Sequence, residues 1–113
     1  MPKLQQLRTR AFHAQHGRCH YCGISMWLDS PDELPPPRKS VRARQCTAEH
    51  LVARQDGGRD TAENIVAACL QCNLRRHRRK VPLPAAEYLS LVHRRLGRGK
   101  WWPTPIADKL SSS

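Results

Sequence analysis

The chain is poor in the residues that usually fill a core: of its 113 residues six are aromatic and two are methionine, and hydrophobic residues make up 39%. So little bulk leaves a thin core for one domain, 1–113, and some support besides burial is expected. Acidic residues are also scarce, nine against 20 Lys plus Arg, which gives a formal net charge of +11. A polyanion is the partner this imbalance implies. No stretch approaches the roughly 20 apolar residues that span a bilayer. The start, Met1 to Arg8, lacks the apolar run of a signal peptide. No membrane partner is expected, since no strongly amphipathic apolar face accompanies the arginines. A reducing cytoplasm is the expected location, where thiolates favour metal over disulfide.

What the chain does have is five cysteines, four of them in two pairs, Cys19-x-x-Cys22 and Cys69-x-x-Cys72. Each pair presents two sulfurs on one side of a tight turn, and two pairs complete a tetrahedral zinc shell. Cys46 is left as a free thiol; the competing assignment puts His20 or Cys46 in place of one ligand. Four thiolates leave no open position for water, so this zinc is structural. Its removal is expected to unfold the chain or nearly so.

Leu4, Leu7, Ala11 and Ala14 recur at helical spacing and predict an N-terminal helix over 3–16, stopped by Gly17. The proline-rich stretch 29–40 predicts an exposed loop. A strand is expected from Val41 to Thr47, finishing over Glu49 to Ala53, then a turn over 55–60 and a second strand over 64–68. A helix from Cys69 or Leu70 should reach about Lys80, where Val81-Pro82-Leu83-Pro84 ends it. The expected core is thus 17–81, an α+β unit of strand, turned loop, strand and helix. A C-terminal helix and tail fill 84–113, with Tyr88, Leu89, Val92 and Leu96 on one helical face. Trp101-Trp102-Pro103 either folds back onto the core or lines a groove wall, and Ser111 to Ser113 are expected to fray.

Asn73 and His77, four residues apart, share one helical face. Glu49 and His50 are neighbours on a strand, so both reach one site only if the strand ends or bends there. Glu49 and Asn73 are oxygen ligands suited to Mg²⁺, while an imidazole from His77 favours a transition metal such as Mn²⁺, Ni²⁺ or zinc. His50, whose ordinary pKa is about 6.5, suits a general base. His13, His16, His20 and His93 read as surface or core histidines, and His77 has a helix-surface role as its alternative. Asn64 either orients the loop that carries His50 or begins the second strand. Arg75, Arg76, Arg78, Arg79 and Lys80 form the densest basic run, with others at Arg38 to Arg44 and His93 to Lys100. Each is a solvated face or a phosphate-binding surface.

Taken together, Tyr21-Cys22-Gly23, Glu49-His50-Leu51-Val52, Gly57-Gly58, Asn64-Ile65-Val66 and Cys69-Leu70-Gln71-Cys72-Asn73 resemble the HNH endonuclease family, in its branch with two Cys-x-x-Cys knuckles around a ββα-metal core. The likeness runs over Cys19 to Lys80. It implies hydrolysis of DNA phosphodiesters with one divalent ion, 5′-phosphate and 3′-hydroxyl products, and a helix docked in the minor groove. His50 matches the general base, Glu49 the carboxylate ligand usually written as aspartate, Asn64 the loop-positioning residue and Asn73 the last ligand. His77 lies where some members place a further histidine ligand. Three positions depart from the pattern: Ala53 where proline is common, Arg76 where lysine is common, and the longer Glu49. The expected activity is nicking or double-strand cleavage of duplex DNA with little sequence preference, RNA being the second candidate substrate. The competing readings are a non-catalytic zinc-stabilised nucleic-acid-binding module and a protein-interaction module built on Trp101, Trp102 and the proline loop.

Overall fold

A computed structural model of the chain describes residues 3–102. Helix α1 (Leu4–Ala14), strand β1 (Cys46–His50), strand β2 (Ile65–Cys69), helix α2 (Leu70–Arg76) and helix α3 (Ala85–Gly97) follow in that order. The architecture is α+β with a ββα centre: β1 and β2 pair antiparallel, Glu49 opposite Val66 and His50 opposite Ile65, and β2 runs directly into α2. α1 packs against both strands.

α1 ends at Ala14, short of the expected 16, and Gln15 turns toward the sheet. The Gln15 amide accepts from the Ala67 N–H at 2.8 Å and donates to the Ala67 carbonyl at 2.8 Å. One side chain thereby answers a strand residue on both of its backbone groups and ties α1 to β2.

The first strand starts later than expected and stops earlier. Arg42–Arg44 form a 3₁₀ turn in place of strand, because the buried Arg44 side chain reaches back to donate to the Ser25 carbonyl at 3.0 Å. After His50 the chain leaves the sheet, and Arg54–Asp56 make another 3₁₀ turn. β2 begins at Ile65, so Asn64 stands outside it. The proline-rich loop is exposed for most of its length but rests on Leu34, which is buried. Glu33 organises it by accepting from the N–H groups of Leu28, Asp29 and Ser30.

α2 has seven residues, Leu70–Arg76, and ends short of the expected Lys80: His77 caps it, and the run Arg78 to Lys80 leaves the helix. The chain then returns across the end of α2, where Arg76 Nε donates to the Leu83 carbonyl at 3.1 Å. Trp101 and Trp102 are buried on the core, and Trp101 also lines a cleft beside α3, so both placements open to the pair hold in part; Pro103 and Ser111 to Ser113 lie outside the described residues. The core gathers Tyr21, Ile24, Met26, Ala67, Tyr88 and Val92 around the cysteine sulfurs. A thin apolar core built around four thiols is the economy the composition implied. Among the described residues no helix is long and apolar enough to cross a membrane.

Candidate metal centre and active site

Cys19 and Cys22 sit on the first knuckle, Cys69 at the end of β2 and Cys72 in the first turn of α2, and their sulfurs all lie within 4.8 Å of one another. Cys22 Sγ and Cys69 Sγ are 3.8 Å apart. Zinc–sulfur bonds of about 2.3 Å set tetrahedrally require sulfur–sulfur edges of about 3.8 Å, so the four cysteines can hold a zinc ion. Neither His20 nor Cys46 belongs to the group, which removes the competing ligand assignment. Burial pushes the Cys46 thiol up to about 12, as suits an inert core residue.

Hydrogen-bond donors face the cluster from outside. Backbone N–H groups of Tyr21 and Cys69 donate to Cys19 Sγ at 3.4 and 3.3 Å, and the Trp101 indole N–H donates to Cys72 Sγ at 3.3 Å. Such donors favour thiolate over thiol and orient the ligands. Burial pushes Cys72 up, and so do hydrogen bonds from the other cysteines. Four thiols this close cannot all ionise without a cation among them.

Beside this centre Glu49, His50 and Ala48 of β1, Asn73 and His77 of the α2 region, and Leu4 of α1 line an open depression of about 490 Å³. β1 ends at His50, so Glu49 and its neighbour can border one hollow although they leave the strand on opposite faces. Glu49 turns inward and is 1% exposed. Its Oε2 accepts from Arg76 Nη1 at 2.9 Å and from the Tyr21 hydroxyl at 3.0 Å, and its Oε1 lies 2.9 Å from His77 Nε2. Burial first, and then the Glu49 charge, push the Tyr21 phenol above its ordinary range, which keeps it a donor. Asn73 Nδ2 donates to Thr47 Oγ1 at 3.0 Å and to the Ala48 carbonyl at 3.2 Å. Among the described residues its amide oxygen takes no hydrogen bond, which leaves it free as a ligand beside Glu49 and His77.

His50 Nε2 lies 2.8 Å from Asp60 Oδ1, and Arg54 holds the other oxygen of Asp60 at 2.8 Å. Hydrogen bonds from His50 and then Arg54 keep the Asp60 carboxyl below its usual range. Asn64 clamps the loop between them: its Oδ1 accepts from Val52 N–H at 2.8 Å, and its Nδ2 donates to the carbonyls of Val52 and Arg59 at 2.9 and 3.0 Å. The same loop needs Gly57, whose φ is 93°, and Gly58, where a Cβ would stand 1.7 Å from the Val52 carbonyl oxygen.

Arg76 departs from the expectation of a phosphate contact. It is 5% exposed, and its guanidinium donates to Glu49, Tyr21 and the carbonyls of His50, Leu51 and Leu83. Arg78, Arg79 and Lys80 are exposed, and Arg75 stacks on Trp101 with its guanidinium carbon 4.6 Å from the ring. Sequence reading missed Tyr21, Thr47, Asp60 and Trp101 as site residues, since each acts on a partner distant in sequence. Tyr21 left a signal beside the first cysteine pair, Trp101 in the Trp101-Trp102 pair, and Asp60 as the acid nearest after the Gly57-Gly58 turn; Thr47 left none.

In a comparison with curated proteins nothing matched. A family model described as HNH endonuclease matches residues 19–79, over half of the sequence, and takes in both cysteine pairs, the sheet and α2. Nuclease or nucleic-acid chemistry is the function of that family, and on this match the chain belongs to the HNH endonuclease family.

Proposed function

We propose that the protein is a divalent-metal-dependent endonuclease that hydrolyses DNA phosphodiester bonds, nicking or cutting duplex with little sequence preference. The observation that carries this reading is the convergence of Glu49, His50, Asn73 and His77 on one open depression. The residues suit an ion: Glu49 Oε1, Asn73 Oδ1 and His77 Nε2 offer two oxygens and an imidazole, a set for Mg²⁺ or, with the histidine, Mn²⁺ or Ni²⁺. Bound there, a divalent ion supplies positive charge against the charge that develops on the phosphate and the departing oxygen.

His50 takes the proton of the attacking water. With Nε2–H given to Asp60, the unprotonated nitrogen of a neutral ring is Nδ1, which is the basic atom. Asp60, kept ionised by His50 and Arg54, fixes the ring's tautomer and orientation. Asn64 holds the backbone of the loop on which Asp60 stands. Arg76 and Tyr21 pin one oxygen of Glu49 so that the other faces His77. The four-thiolate zinc, with no open position, takes no part in the reaction and orders Asn73 through its neighbour Cys72. Arg75, Arg78, Arg79 and Lys80 meet phosphates, which positions a duplex without reading its bases.

One observation favours a second reading, a zinc-stabilised nucleic-acid-binding module without catalysis: Glu49 is already neutralised by Arg76, which weakens its pull on an ion. The two are separated by end-labelled duplex incubated with the zinc-loaded protein and Mg²⁺, Mn²⁺ or Ni²⁺. The nuclease yields 5′-phosphate ends, and Glu49→Gln or His77→Ala removes the dependence on ion concentration together with the cleavage. A module shifts the duplex in a gel and leaves it whole with every ion.

A further inference from the structure

A second cleft, of about 420 Å³, opens between the C-terminal end of α2 and α3. Arg75, Arg78, Arg79, Arg95 and Lys100 border it together with the buried Arg76, whose charge is paired to Glu49, and no acidic side chain among the described residues does. On an α-helix Arg75 is turned about 200° from Asn73, so this cleft and the Glu49 depression lie on different sides of one helix. Arg75 is held in place twice, by its stacking on Trp101 and by an Nη1–H donated to the Trp101 carbonyl at 3.1 Å. Among the described residues none of the five cations is in an ion pair. Unopposed cations around one hollow repel each other until an anion enters, and guanidinium groups fit phosphate oxygens in pairs. Without a carboxylate the cleft has nothing for a metal ion, in contrast to the depression across the helix.

We propose that this cleft is a second phosphate-binding site, which seats the backbone of the uncut strand while the Glu49 depression faces the strand to be cut. It rests on the nucleic-acid reading of that depression, since two backbones flank any helix that enters a groove of duplex DNA. Arg95 and Lys100 lie beyond residues 19–79, so α3 and the segment after it add this site to the family core.

The test is duplex and single-strand binding by fluorescence anisotropy across a salt series, in zinc-loaded His50→Ala protein with no other divalent ion. The cleft triple variant Arg79→Ala, Arg95→Ala, Lys100→Ala removes exposed residues, and Arg10→Ala, Arg38→Ala, Lys39→Ala removes the same charge elsewhere. The cleft variant should weaken duplex binding about tenfold more than the control and flatten the plot of log K against log salt by about two to three units, at about 0.9 per phosphate contact, with single-strand binding like the control's. Equal effects of the two triples, or equal losses on single strand and duplex, would overturn the proposal. Failure of the nuclease reading has a different signature, uncut DNA with these slopes unchanged.

Discussion

Arg76 Nη1 lies 2.9 Å from Glu49 Oε2 in an ion pair whose side chains are only 4% and 2% exposed. These are two of the positions at which the sequence departs from the pattern that the resemblance implies, and the two face each other. Arg76 Nη1 and the Tyr21 hydroxyl both donate to Oε2 of the longer carboxylate, and its other oxygen meets His77. Removing one partner strands a buried charge: Arg76→Ala should cost about 3–5 kcal/mol, and Arg76→Met with Glu49→Leu much less than the sum. In a double-mutant cycle of Arg76→Lys and Glu49→Asp, denaturant unfolding of the zinc-loaded protein should show coupling of about 1–3 kcal/mol. Additive losses would mean that the two residues do not act on each other.

Zinc removal has a larger effect. Chelation, or Cys19→Ser, should abolish the far-ultraviolet signature of the fold, because binding free energy of roughly 10 kcal/mol is folding free energy in such a site. Trp101→Phe keeps an aromatic ring but deletes the pyrrole N–H that reaches Cys72, so competition with a chromogenic chelator should report zinc affinity lower by about tenfold, with helix content unchanged in excess zinc.

How much of this was legible in the sequence follows the range of the interactions. The cysteine pairs were, because a knuckle is local and its spacing is its geometry. The pattern also singles out Glu49, His50, Asn73 and His77, and the fold brings these four to the border of one depression, while the roles given to them are proposals. Arg76 was not: within a run of arginines nothing local distinguishes the one that turns inward, and the carbonyls that draw it in come from β1's end and from Leu83. The early end of α2 has the same origin, since the prolines stand at 82 and 84 while the returning chain is held at Arg76. The late start of β1 follows from Arg44 reaching Ser25, a contact no periodicity carries.

Loop geometry gives a further test. Gly58→Ala drives a Cβ into the Val52 carbonyl, and Asn64→Ala deletes three hydrogen bonds, so both should loosen the segment between His50 and Asp60. Losses of about 1–3 kcal/mol are expected for Asn64→Ala. Amide exchange at Val52, which donates to Asn64, should accelerate in that variant while β2 stays protected.

Cys46 sets a pH signature. Its thiol titrates near 12 in the fold against 9.0 for an ordinary cysteine, so its contribution is complete below pH 9 and is lost as pH rises from about 9 to 12. Zinc-loaded protein should leave Cys46 unlabelled by iodoacetamide at pH 8, and Cys46→Val should flatten the fall in stability above pH 9.

In the proposed reaction His50 takes the proton of water at a site held in shape by a separate zinc. The most direct measurement is the single-turnover rate of supercoiled plasmid nicking with saturating Mn²⁺, for wild type and His50→Ala matched in zinc content and DNA affinity. The wild type should nick the plasmid, and the variant should do so about 10²–10⁴-fold more slowly. Equal rates, or a wild type that binds the plasmid and never nicks it, would contradict the proposed reaction.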